Sequence, residues 1–486
     1  MRWMADHWFL LTLLAAYSAL MIHHAIIGRR RTRGTVDYYV GGRALGGGAL
    51  GLSFFATYSS TNSFVGFSGQ AYTYGVPWLL LAPSAVLFCL LAWLWIAPRL
   101  RRFTERLDSI TLPDFIGFRF ESRTARGGAA LIVLFASFLY MTAVFKGIGN
   151  LLETFLDIHY LLAIALVFVV VVAYTAVGGF ISVVRTDVIQ GVVMIAAAVL
   201  LFGGTVRAAG GFDAFGTVQQ LPGRETLFTW EAAMPFPVLI GIIVAGTMKF
   251  LVEPRQLSRF YALRDDRAVT RGMWTSTSAF LVVYALLVPI GIFAHHLIPG
   301  GIDDTDLVVP TLLANGEIFV PAVGAFLLVA MIAAAMSSLD SVLLVMASTC
   351  QRDVVELVRP ALSGDKALLA TRLYVVVFAF VTALIAIDPP GQIVTLTAFS
   401  GSLYAACFFP SIVFGLHWTR GNGLAAVASM AIGLLTLLLW PLFPVGDVVH
   451  EVFPALAFST VAFGVVAAMS EPVTSGTVRA LFVETE

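Results

Sequence analysis

Long apolar runs separated by short polar stretches fill most of the chain. They lie near residues 8 to 27, 46 to 73, 76 to 97, 127 to 155, 159 to 177, 186 to 206, 236 to 253, 273 to 295, 321 to 346, 372 to 387, 391 to 416, 422 to 443 and 452 to 470. A helix that crosses a bilayer takes about 20 apolar residues, so the pattern predicts about thirteen transmembrane helices. Inside lipid, backbone amides must find partners within the protein, and the expected class is an all-α membrane protein. Two loops, Ala208 to Pro235 and Ile298 to Pro321, are long enough to carry short helices over one face of the membrane.

Composition narrows this picture. Hydrophobic residues make up 59% of the 486 positions and charged residues 12%, with a mean hydropathy of +0.90, which excludes an ordinary soluble domain. Lys plus Arg and Asp plus Glu each number 29, so no net charge invites nucleic acid. The basic residues are nevertheless sided. Arg29 to Arg43, Arg99 to Arg126, Arg185, Arg255 to Arg271 and Arg352 to Arg372 fall on every second loop, with Arg420 on the next such turn, while the opposite loops hold mainly Arg207 and Arg224. The positive-inside rule then sets the N-terminus outside and the C-terminus in the cytoplasm, across a cell (inner) membrane. The first run, Trp8 to Ile27, is long for a signal peptide and ends in Arg29, Arg30, Arg31 and Arg33, a stop-transfer pattern, so it is expected to stay as a helix. Cys89, Cys350 and Cys407 are widely spaced and read as small hydrophobes, and the pairs His23/His24 and His295/His296 lack the companions of a metal site.

Polar residues interrupt two of the runs at membrane depth. Ala56-Thr57-Tyr58-Ser59-Ser60-Thr61-Asn62-Ser63 is dense in hydroxyls and amides. That density fits a helix unwound at this point, with oxygens lining a cavity, better than side chains that merely bond back to their own helix. In the ninth run Ala334, Ser337, Ser338 and Ser341 share a helix face, which suits either close helix packing or oxygen ligands for a hard cation. Asp340 beside them is an ionisable group within a membrane segment, which is costly and points to function. Asp187 opens the sixth run next to Arg185, where a helix cap is the plain reading. Lys146 has no acid three or four residues away, which leaves Glu153, Asp187 or a substrate carboxylate as its partner. Lys249 has Glu253 four residues on and reads as an intrahelical pair.

Several motifs in order resemble those of the sodium/solute symporter family. They are Tyr39-Val40-Gly41-Gly42-Arg43, Phe64-Val65-Gly66-Phe67-Ser68-Gly69, Tyr174-Thr175-Ala176-Val177-Gly178-Gly179-Phe180 and Thr186-Asp187-Val188-Ile189-Gln190. The Ala334 to Ser341 cluster and Gly415-Leu416-His417-Trp418, leading to Arg420 and Asn422, complete the series, and the resemblance runs over nearly the whole chain. It implies a LeuT-like core of two five-helix inverted repeats with one extra N-terminal and two extra C-terminal helices. The implied divisions are 1–45, the first helix and a basic loop; 46–206, the first repeat; 207–235, an outer loop; 236–416, the second repeat; and 417–486, the last two helices and a tail. It implies Na+ as coupling ion, held at a main site by Ala56, Ser59, Ala334, Ser337 and Ser338. A second ion site found in some members matches Asp187, Ser337, Asp340 and Ser341, and because Asp340 stands where several relatives have Ser or Thr, a second sodium, a proton and a structural role stay open. Ser60, Asn62, Ser63, Lys146, Phe399 and Tyr404 are the candidate solute contacts. The sodium/proline relatives carry an Asp where Tyr58 stands, which speaks against proline, and Glu253-Pro254-Arg255-Gln256-Leu257-Ser258-Arg259 resembles the pantothenate members.

The expected function is sodium-coupled import of a small organic solute by alternating access, the solute bearing a carboxylate: a monocarboxylate, a pantothenate-like compound or an amino acid. Sodium-coupled uptake of a sugar, polyol or sialic acid is the alternative, and a symporter-like sensor ranks below it. No nucleophile with its base, metal set or phosphate loop argues for an enzyme. The expected partners are the solute and the lipid bilayer, without nucleic acid, and a monomer is compatible with this reading.

Overall fold

The computed structural model describes residues 8–32, 34–230, 234–359, 365–473 and 475–483. Among the described residues no strand occurs, and eleven helices are long and apolar enough to cross a membrane. Helix α1 is Trp8–Arg31. A broken helix follows, made of α2 (Gly47–Tyr58) and α3 (Phe67–Tyr74). Next come α4 (Val76–Arg106), α5 (Arg123–Leu156) and α6 (Tyr160–Ala208). A second broken helix consists of α7 (Phe236–Thr247), prolonged by a turn over Lys249–Val252, and α8 (Pro254–Tyr261). The rest are α9 (Asp266–Ala294), α10 (Pro321–Val358), α11 (Lys366–Ile385), α12 (Ile393–His417), α13 (Gly423–Leu442) and α14 (Val452–Met469).

The thirteen apolar runs and these eleven spans differ at two places, and both are interruptions. Neither α2 nor α3 is long enough to cross alone. The fifth and sixth runs join into the single 49-residue α6. At 1.5 Å per residue a helix of that size is about 74 Å long, more than twice the hydrocarbon thickness of about 30 Å, so α6 serves as two spans. Its joint is Gly179, with φ 67° and ψ −176°.

Packing divides the spans into two groups. The two broken helices, α4 and α9 pack together, while α5, α6, α10, α11 and α12 form the other group. Since α2 also lies against α6 and α10, and α8 against α10, both interruptions face the seam between the groups. Helix α1 rests on α6 and α10, and α13 and α14 pack on each other and on α12. The segment entering α2 is tied to the one leaving α8: the Leu45 amide donates to the Ala262 carbonyl at 3.1 Å, and the Arg264 amide to the Leu45 carbonyl at 3.2 Å. Leu94, Leu131 and Val169 face outward and are 62%, 65% and 60% exposed, an apolar surface suited to lipid.

Gly179 is the joint on which the two halves of α6 turn. A Cβ there would lie 2.7 Å from the Tyr38 ring, in a backbone region that L side chains rarely adopt. Gly179→Ala should therefore cost about 1 to 3 kcal/mol and lower the melting temperature of the detergent-purified protein by several degrees. A melting temperature equal to the wild type would contradict this account of the joint.

Candidate functional site

The polar run in the second apolar segment does unwind. At Ser59 the backbone becomes extended (φ −71°, ψ 108°), and the Ser59 amide closes the last bond of α2, to the Phe55 carbonyl at 2.9 Å. The Thr57 carbonyl receives two side chains instead of a helical amide: Arg255 Nη1 donates at 2.7 Å and Ser338 Oγ at 2.9 Å. The Asn62 amide turns to Ser60 Oγ at 3.1 Å, and the chain winds up again over Asn62–Gly66.

The second interruption falls at Glu253, extended at φ −75° and ψ 127°, because the following Pro254 disfavours helix at the residue before it. This overturns the expected Lys249–Glu253 pair: four residues bring side chains together only on an unbroken helix. Glu253 instead clamps Arg255, with Nε 2.6 Å from Oε1 and Nη2 3.2 Å from Oε2. The Lys249 ammonium lies 4.8 Å from the centre of the Tyr140 ring, and Arg255 stacks on that ring at 3.9 Å. Among the described residues no carboxylate is within ion-pair distance of Lys249, which is nonetheless buried.

Between the two interruptions is a narrow cavity of about 20 Å³ whose lining includes Tyr58, Asn62, Trp78, Tyr140, Lys249 and Arg255. Tyr58 donates to the Gly246 carbonyl at 2.7 Å and stacks on Phe250 at 4.1 Å. Among the expected solute contacts, Asn62 lines this cavity, Ser60 holds the unwound loop, and Ser63 shares a hydrogen bond with the Tyr284 hydroxyl at 3.1 Å. Phe399 and Tyr404 are not among the lining residues. Helix α12 turns Val394, Thr397 and Ala398 to the cavity, while the Tyr404 hydroxyl packs against α5 and bonds to Ser137 at 2.9 Å.

Lys146 is also placed elsewhere. Its ammonium is 2.8 Å from Asp306 and 3.9 Å from Asp304, not beside Glu153 or Asp187, because the loop between α9 and α10 folds over the end of α5. Asp306 accepts the Ile393 amide at 3.1 Å as well, joining α5, that loop and the start of α12. Burial pushes the Asp306 carboxyl above the usual carboxylate range, and the Lys146 ammonium opposes that rise.

The cap reading of Asp187 gives way too. The second half of α6 begins after Gly179, so Asp187 sits about two turns inside the helix, fully buried and partnered by Arg259 rather than Arg185. Asp187 Oδ2 accepts Ser53 Oγ at 2.5 Å and Arg259 Nη2 at 2.9 Å, and Oδ1 accepts Ser337 Oγ at 2.5 Å. Ser341 Oγ shares a hydrogen bond with Thr57 Oγ1 at 2.6 Å and lies 3.3 Å from Asp340 Oδ1. Asp340 Oδ2 is buried without a hydrogen-bond partner among the described residues. Ser337 and Ser338, neighbours in sequence, thus serve two places: one reaches Asp187 and the other the unwound carbonyl. The residues missed in sequence are Lys249, Arg255 and Arg259. For the two arginines the signal was the Pro254 break followed by cations four apart, which puts both on one face of α8.

Two broken helices that meet at a seam, with buried oxygens and charges at the breaks, define a secondary active transporter of LeuT-like fold. The chain belongs to the sodium:solute symporter family, whose family model matches residues 38–433. It is 30% identical over 447 residues to the sodium/pantothenate symporter of Haemophilus influenzae, covering 89% of this chain and 90% of that one. Over 458 residues it is 30% identical to the osmoregulated proline transporter OpuE of Bacillus subtilis, with 90% of each chain covered. The solved structure of a Na+-coupled sialic acid symporter shares the fold, with a TM-score of 0.83 at 20% identity over 96% of this chain and 98% of that one. The protein is therefore a multi-pass membrane transporter for sodium-coupled uptake of a small solute.

In the Lys146–Asp306 contact the carboxylate is buried and the ammonium partly so, and losing one partner should cost up to the roughly 3 to 5 kcal/mol of a fully buried pair. Lys146→Gln alone should lower the melting temperature clearly. Adding Asp306→Asn, which keeps an acceptor for the Ile393 amide, should recover part of the loss. A double variant whose loss equals the sum of the two single losses would contradict a direct pair.

Proposed function

We propose that the protein imports a small organic anion, taken up by its carboxylate at Lys249 and driven by inward movement of Na+. The observation that carries the carboxylate is Lys249 itself: a buried cation on the central cavity with no carboxylate at ion-pair distance among the described residues. A buried ammonium is stable in its charged form when an anion joins it, and Arg255 beside it is already committed to Glu253 and the Thr57 carbonyl. Neutral sugars and polyols offer no such anion, whereas monocarboxylates, amino acids and pantothenate do. Sialic acids bear a carboxylate as well and stay within this class. Lys146, held by Asp306, becomes a clasp at one end of the pathway rather than a solute contact.

The coupling Na+ belongs at the first interruption, held by the oxygens of Ala56, Ser59 and Ala334, the hydroxyl of Ser338 and that of Ser337, which also bonds to Asp187. Support comes from Ser338, which reaches across from α10 to the Thr57 carbonyl of the same unwound turn. A site of neutral oxygens suits a monovalent ion that must also leave. Coupling follows when Na+ binds more tightly to the state in which the Lys249 cavity accepts solute. The cavity of about 20 Å³ is smaller than any such solute, so the two helix groups part at the seam to load it. By the positive-inside rule the N-terminus faces outside and the C-terminus the cytoplasm.

In proteoliposomes, uptake of the matching carboxylate should require an inward Na+ gradient, and equal uptake with choline in place of Na+ would contradict sodium coupling. Lys249→Gln removes an unpaired buried charge and should leave the fold intact. It should raise the KM for solute about tenfold or more, as expected for a lost charge-assisted hydrogen bond, with a much smaller change in half-saturating Na+. An unchanged KM would remove Lys249 from the solute site.

A further inference from the structure

The second place at which a cation is expected, around Asp187 and Ser341, already holds one. Arg259 Nη2 lies 2.9 Å from Asp187 Oδ2, 2.8 Å from Ser341 Oγ and 2.6 Å from Thr57 Oγ1. The rest of the guanidinium is equally engaged: Nε donates to Ser53 Oγ at 3.1 Å, and Nη1 to the Arg255 carbonyl at 3.0 Å and Ser258 Oγ at 3.1 Å. Arg259 is 1% exposed, and all three of its nitrogens have acceptors.

We infer that Arg259 is the resident cation of this site: its guanidinium takes the place of a second Na+, so the transporter runs on one sodium per cycle. Two of the four expected ligands, Asp187 and Ser341, are turned to the guanidinium together with Ser53 and Thr57, while Ser337 bonds to the Asp187 carboxylate. A sodium ion about 4 Å from it would meet a repulsion equivalent to roughly a thousandfold loss of affinity at an effective dielectric of about 20. Unlike a bound ion, the guanidinium is tethered to α8 and cannot leave with the solute. It therefore supplies a fixed bridge between the second broken helix and the α6–α10 face, at no cost in gradient. Asp340, beyond Ser341, adds a second carboxylate to the pocket, which makes the pocket strongly cation-seeking once the guanidinium is removed.

This rests on the proposed sodium coupling, and the two fail differently. Failure of the proposed function appears as uptake that ignores the Na+ gradient, whereas the present inference is read by counting bound ions. Radioactive ²²Na+ binding to the purified full chain should show one ion per wild-type protein with a Hill coefficient of about one. Arg259→Ala should bind two ions, the added one displaced by millimolar guanidinium, and Arg259→Lys should return the count to one. Two ions on the wild type, or one ion on a folded Arg259→Ala variant, would overturn the inference. If Arg259→Ala does not fold, the wild-type count and the Arg259→Lys variant decide it: one ion on each upholds the inference, and two on either overturns it.

Discussion

Arg255 and Arg259, one turn apart on α8, hold the first broken helix by the groups its unwinding exposes. Arg255 binds the Thr57 carbonyl, and Arg259 binds the Thr57 hydroxyl and Asp187. An unwound turn inside a membrane leaves backbone and hydroxyl groups that neither water nor lipid can satisfy, each costing several kcal/mol. The second broken helix meets that demand with charge, and its charges are met in turn by Glu253 and Asp187. Each interruption supplies partners to the other, so the seam between the two helix groups is a shared polar interior within an apolar molecule.

That arrangement divides labour among cations which composition alone cannot separate. Lys146 is spent on a clasp, Arg255 on supporting the unwound turn and Arg259 on filling the Asp187 pocket. Lys249 remains, buried at the cavity against the Tyr140 ring, with no carboxylate at ion-pair distance among the described residues. A transporter for an anion needs one such cation, available but shielded from lipid, and it needs the neighbouring cations to be already neutralised so that specificity does not collapse into general anion attraction.

Much of the fold was legible in the apolar periodicity because lipid imposes the simplest rule in protein structure: satisfy the backbone locally or not at all. The break at Ser59 was legible for the same reason, since a cluster of hydroxyls at membrane depth has few other uses. What misled was inference from spacing across an unseen interruption. The Lys249–Glu253 pair assumed a helix that Pro254 ends, and the capping role of Asp187 assumed a helix start that the structure places earlier, just past Gly179. Partners contributed by a distant loop, such as Asp306 for Lys146, leave no local trace at all. The arginines of α8 were visible as residues, but their purpose depended on which helix faced them.

The central claim is that sodium at the first interruption prepares the Lys249 cavity for a carboxylate. Thermodynamic linkage tests it without transport: Na+ must raise solute affinity by the same factor by which solute raises Na+ affinity. Calorimetric titration of the purified protein with its carboxylate solute, in sodium and in choline buffers, measures that factor. A solute Kd at least about tenfold lower in sodium, corresponding to about 1.4 kcal/mol of coupling, is the predicted result. Equal affinity in the two buffers would contradict it.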